Sequence, residues 1–177
     1  MKIIGLDLSL TGTGMSDGQT TWLIASKGSK GDSLATRNRR LGGIRGEVLS
    51  HCYDADLVVI EAPAYASRMG SAHDRSGLWW LIVADLHDRG TVVAEVPPTV
   101  LKRYATGRGN ADKGAMTDAA ARRLPHVDTR GNDNRVDALW LSALGHAHFG
   151  LDLVDLPAAH RTALGSVAWP PHIADAA

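Results

Sequence analysis

Cysteine is nearly absent from this chain. Of its 177 residues only Cys52 carries a thiol, which excludes an intramolecular disulfide and any cysteine-rich zinc module. Net charge is lacking as well: 19 Lys and Arg balance 19 Asp and Glu, so the global basicity of many polyanion-binding proteins is missing. A nucleic-acid role would need local segregation, with acids gathered in one place and bases around them. Long hydrophobic runs are also lacking. The opening MKIIGLDLSL is too short and too interrupted by charge for a signal peptide, and nothing approaches the ~20 apolar residues of a membrane span. The expectation is a cytosolic protein with no membrane association. Repeats and linkers are absent too, and the length suits one domain with a sizeable core.

What is there is an ordinary globular composition, 44% apolar and 21% charged, arranged as alternating strand and helix signals. KIIGLDL (2–8) is a short apolar run expected as a buried strand. Gly12, Gly14 and Gly18, with the TTWLIA run at 20–25, predict a meander of antiparallel strands. A Gly-rich loop at 27–32 leads to a helix capped by Asp32 or Ser33, with Leu34, Leu41, Ile44 and Val48 at helical spacing and Arg37, Arg39, Arg40 and Arg45 largely off that stripe. DLVVIEAP (56–63) predicts a central strand, residues 64–76 a polar connection, and SGLWWLIVADLHDRG a strongly apolar helix. TVVAEV (91–96) is another strand, stopped by Pro97-Pro98, with Pro98 in the first turn of a short helix. TGRGNADKG (106–114) enters a helix ending near Arg123, and NRVDALWLSALGHAHF is a last long helix. The tail from Leu151 reads as Pro-rich and irregular, with Leu156, Val167 and Trp169 expected to pack on the body. The element order predicts an α/β protein with one mixed sheet flanked by helices.

Three acids stand where acids are expensive. Asp7 follows one apolar strand pattern and Glu61 ends another; a carboxylate there needs a cation or strong donors in compensation. Either alone reads most simply as a helix cap or an Arg partner, but two such strand ends in one small chain point toward a shared role. The third is in Asp133-Asn134-Arg135-Val136-Asp137. On a helix Asp133 and Asp137 share a face one turn apart, with Asn134 on part of it. Capping would account for Asp133 but not for Asp137 inside an otherwise apolar helix. If these acids converge, their repulsion calls for a counter-charge, and oxygen ligands without a His/Cys set point to Mg²⁺ or Mn²⁺ rather than zinc. Two such ions, about 4 Å apart, suit an in-line phosphoryl displacement.

Four patches resemble the RuvC-like Holliday junction resolvases, especially their phage-type members: GLDLSLTGTG (5–14), VVIEAP (58–63), VPPTVLKRYATGRGNADKGAM (96–116) and DNRVDAL (133–139). The third is the most specific, because it couples two lysines to a Gly-rich loop. The resemblance implies an RNase H-like fold with a five-stranded sheet, a nuclease domain over 1–150 and a tail, 151–177, packed on it. It implies metal ligands at Asp7, Glu61, Asp137 and Asp133, with Lys113 joining these acids in catalysis, and two Mg²⁺ ions per site, replaceable by Mn²⁺. It places Lys102 and Lys113 against the scissile region. Arg108 is divided between phosphate contact and solvent, as is Arg103. Tyr65 and Arg68 lie in the loop that in this family bears a base-stacking aromatic, a contact worth roughly 1–3 kcal/mol per base. One departure is that the residue three before Asp137, commonly acidic in cellular members, is Asn134, so either Asp133 or Asn134 completes the set, with Asp133 favoured. Arg135 also replaces a residue commonly acidic in phage-type members.

The implied function is metal-dependent, structure-selective hydrolysis of DNA at Holliday junctions, flaps or forks, leaving 5′-phosphate and 3′-hydroxyl, by a homodimer in a bacterial or phage-infected cytoplasm. Helix 77–86 is the expected dimer surface, with Trp79 and Trp80 either in the helix core or on that face. His73 has weak grounds for touching the site. Two alternatives stand beside this one: a YqgF-like RNA-processing nuclease, and a junction-binding protein with a degraded metal site. An actin-like ATPase is disfavoured, because the chain is too short for two domains.

Overall fold

The computed structural model describes residues 1–63 and 72–171; Tyr65 and Arg68 lie outside them. The sheet forms in the order β3-β2-β1-β4-β5. Strands β1 (Ile3–Asp7), β2 (Gly12–Ser16) and β3 (Thr21–Ala25) make the antiparallel meander, and β4 (Leu57–Glu61) and β5 (Val92–Val96) add in parallel beside β1. The mixed five-stranded sheet expected from the sequence is therefore present. Helices α1 (Leu34–His51) and α2 (Ala72–Asp88) cover one face. On the other lie α3 (Pro98–Thr106), α4 (Lys113–Arg123) and α5 (Asp133–His148).

Period-two alternation sorts the strands between two cores. In β1, Ile4 and Leu6 join the α1/α2 side and Ile3 joins the α5 side; in β4, Val58 and Ile60 go one way, Leu57 and Val59 the other. By the same alternation Gly5, Asp7 and Glu61 belong to the α5 side. Two glycines let α5 press onto that face. A Cβ on Gly5 would overlap the Ala138 carbonyl and the Ser142 amide, and one on Gly14 would overlap the backbone of Asn134. Helix backbone thus rests almost directly on β1 and β2.

Ser33 caps α1, its hydroxyl accepting from the Thr36 amide at 3.2 Å. Leu34, read as the start of the apolar stripe, is instead 78% exposed; α1 buries its apolar residues further along, at Ile44, Val48 and Leu49. Helix α2 also differs from expectation: it begins at Ala72, so the polar His73, Asp74 and Arg75 are helical. Bidentate hydrogen bonding of Asp74 by Arg37 of α1 fixes that turn, and Arg45 grips Asp85 further along. Arg40 instead bonds Ser26 Oγ and the Leu10 carbonyl.

The segment after α5 is not irregular throughout. It forms α6 (Ala158–Arg161) and a 3₁₀ turn, Thr162–Ser166. Val154, Leu156, Ala163 and Val167 are buried with Val100, Leu101 and Tyr104 of α3. His160 Nδ1 lies 2.9 Å from the Tyr104 carbonyl oxygen, and Trp169 stacks on His148 at 4.1 Å. No described helix is long and apolar enough to cross a membrane.

Candidate metal and DNA site

The site sits at the carboxyl ends of two parallel strands, where neighbouring loops diverge and leave a crevice. In-register pairing of β1 with β4 runs to Leu6↔Ile60, so the next residues, Asp7 and Glu61, stand side by side at the strand tips. Asp7 is 8% exposed and Glu61 half-buried. Helix α5 brings Asp137 to the same place. Asn132 caps it, its side chain accepting from the Arg135 amide at 3.1 Å. Asp133, weighed above as the cap, is therefore the first helical residue, and its carboxylate pairs with Lys113 Nζ at 3.1 Å.

Burial is the first cause acting on all three acids. Burial, then repulsion from Glu61 and Asp137, raise Asp7 well above the usual carboxylate range; burial, then Asp137, lift Glu61 to about 7. Asp137 is lifted by burial to about 6, against the pull of Lys113 and Lys102. The contact between the Asp7 and Glu61 carboxyls raises the first and lowers the second. Lys113, at the start of α4 beside its Asp112 cap, is raised by Asp133 and then by Asp137 and Asp7. Lys102, half-buried on α3, acts on Glu61 and Asp137.

Of the residues singled out from sequence, the fold therefore groups Asp7, Glu61, Asp137, Lys102 and Lys113. Asp133 joins them at the rim through Lys113. Arg108 is exposed in the loop between α3 and α4, at a distance from the acids that leaves it out of their strongest interactions. The Asn134 amide donates to the Gly12 carbonyl, and Arg135 donates to the Thr21 carbonyl and hydroxyl at 3.4 and 3.3 Å. Both departures from the family pattern thus serve to hold α5 against the meander. His73 is exposed and acts on Asp74.

A cleft of about 300 Å³ is lined by Asp7 and Glu61, by Ser9 and Thr11, and by Arg75 and Trp79 of α2. The Trp79 indole donates to the Glu61 carbonyl at 3.1 Å. Sequence reading missed Arg75 because it took 64–76 as a connection; its position four before Trp79, one helical turn, was the available signal.

The donor set suits a hard divalent cation: oxygen ligands only, and raised in proton affinity by burial first and by neighbouring carboxylates second. As placed, no three described His, Cys, Asp or Glu side chains stand close enough to hold an ion.

No protein-family profile matches the chain. A crossover junction endodeoxyribonuclease RuvC from Gloeobacter violaceus is 28% identical over 171 residues, 93% of this chain and 95% of that protein. Among solved structures, Thermus thermophilus RuvC superposes with a TM-score of 0.63 at 19% identity, over 85% of this chain and 98% of that one. T. thermophilus RuvC in complex with a Holliday junction substrate gives 0.60 at 18% identity, over 85% and 97%.

Proposed function

We propose that this chain, RuvC-like in sequence and fold, is a metal-dependent endodeoxyribonuclease that cuts branched DNA, with Holliday junctions as the leading substrate. One observation carries the reading: Asp7, Glu61 and Asp137, from two strands and a helix distant in sequence, lie buried together beside Lys113 and Lys102, with burial raising the proton affinity of all three. A purely structural role would leave such a cluster as an uncompensated electrostatic burden.

Asp7, Glu61 and Asp137 would hold Mg²⁺, or Mn²⁺ in its place, with two ions per site and Asp133 contributing directly or through water. The bound cations would supply an acidified water and offset charge on the phosphate. Lys113, 71% exposed at its side chain and at a helix N-terminus, is suited to a phosphate oxygen once DNA draws it from Asp133. Lys102, deeper, balances the carboxylates and steadies negative charge as it develops. Trp79 fixes the strand end bearing Glu61, keeping that carboxylate aimed along the cleft. Arg108, with Tyr65 and Arg68, is proposed for the DNA surface outside the cleft.

Resolution of a symmetric junction takes two cuts, which suits a dimer with paired sites. Trp80 and Leu81, 65% and 45% exposed on α2, offer the apolar surface for that pairing. A bacterial or phage-infected cytoplasm is the proposed setting.

The decisive experiment is cleavage of a labelled four-way junction in Mg²⁺, with linear duplex and RNA as comparisons. Asp7→Asn should abolish cutting, and Glu61→Gln should abolish it while junction binding survives. Undiminished cleavage by Glu61→Gln would overturn the mechanism, and preference for RNA would favour the RNA-processing alternative.

A further inference from the structure

We infer that Arg75 holds a backbone phosphate of the DNA strand lying in the carboxylate cleft, on the side of the acids away from Lys102 and Lys113. This deepens the nuclease reading and rests on it.

The placement comes from two anchors. Arg75 lines the same cleft as Asp7 and Glu61, and its neighbours in the helix are fixed. Asp74, the residue before it, has both carboxylate oxygens occupied by Arg37 of α1. Trp79, one turn after it, is hydrogen bonded to the Glu61 carbonyl. The first turn of α2 is thus tied to α1 and the second to the strand tip, which sets the position from which Arg75 reaches into the cleft.

Among the described residues its charge has no partner. The guanidinium makes no hydrogen bond or ion pair with the described residues. Its nearest acid in sequence is taken by Arg37, and Asp85, further along α2, is taken by Arg45. The cations acting most strongly on Asp7 and Glu61 are Lys113 and Lys102, so Arg75 does not serve to neutralise the acids. A guanidinium without a partner among the described residues, half-buried beside two carboxylates, fits a planar, bidentate, anionic ligand in a polyanion. The Ser9 and Thr11 hydroxyls, 3.3 Å apart, line the same cleft and offer neutral partners there. DNA entering here would meet these hydroxyls and Arg75 beside Asp7 and Glu61. The contact is to backbone, so it confers register rather than sequence preference.

The test is equilibrium binding of a fluorescent four-way junction to wild type, Arg75→Ala and Arg75→Lys over a salt series in EDTA, with cleavage in Mg²⁺ and thermal unfolding in parallel. Arg75→Ala should weaken binding roughly tenfold and reduce the salt slope by about 1. Its melting temperature should match wild type, and cleavage at limiting junction should fall in step with binding. Arg75→Lys should regain the slope but only part of the affinity, since a point charge replaces a fork. Wild-type affinity and slope in Arg75→Ala, with wild type cutting normally, would overturn the inference and leave the nuclease reading intact. So would a loss that lysine fails to relieve and that comes with a lowered melting temperature. A wild type that neither binds nor cuts branched DNA would bring down the nuclease reading, and this inference with it.

Discussion

An acid lifted by burial is a titratable strain, and Asp137 is the simplest of the three to isolate because it lies outside the Asp7–Glu61 hydrogen bond. Its folded value, about 6, stands above the usual one of 3.8. A raised folded pKa means a contribution to stability that is complete below the unfolded value and is lost as pH rises through the folded one. Without metal, the protein should therefore lose stability at this residue between about pH 4 and pH 6. Asp137→Asn should melt higher than wild type at neutral pH in EDTA, by at most about 3 kcal/mol, with the difference closing toward about pH 4. Added Mg²⁺ should raise the wild-type melting point far more than the variant's. An equal gain at both pH values would attribute the change to packing instead of charge. The acids were legible in the sequence for the same reason that they are strained: Asp7 and Glu61 terminate runs too apolar to tolerate them. Arg75 was not legible, because a cation in a polar stretch gives no such contradiction, and only the position of α2 turns it into a lining residue.

Elements were readable where periodicity was strong and the caps unambiguous. Strands β1, β4 and β5 are short apolar runs with sharp ends, and Ser33 stands before a clear helical pattern. The start of α2 was hidden because Ala72–Arg75 carries no apolar stripe; its helicity depends on Arg37 holding Asp74, a tertiary contact outside any local window. The α5 cap was ambiguous because Asn132 and Asp133 have nearly the same capping chemistry. Glycine played a role that composition could not reveal. Gly5 and Gly14 read as strand and turn residues, yet both stand where α5 backbone meets the sheet. Gly14→Ala should force α5 outward, destabilising the fold by about 1–3 kcal/mol, and should depress junction cleavage as Asp137 retreats from Asp7. Urea unfolding and cleavage rates check both. A variant of wild-type stability and activity would show that α5 accommodates the methyl group without moving.

For the whole molecule, the neutral net charge proved compatible with sharp local segregation: acids and lysines converge at one end of the sheet, while Lys2 and Asp54 pair at the other. The expected dimer belongs to this scale. Trp80→Asp should shift sedimentation from dimer to monomer and slow paired incision of a junction while single-strand nicking persists; an unchanged sedimentation coefficient would place the contact elsewhere. The final segment has a different consequence. It wedges beneath α3, the helix bearing Lys102, through His160 at the Tyr104 carbonyl and the buried Ala163. The lysine that acts on Glu61 and Asp137 is thus shored up by a late stretch of the chain, and a protease nick near residue 151 would weaken that support without removing a single acid from the site.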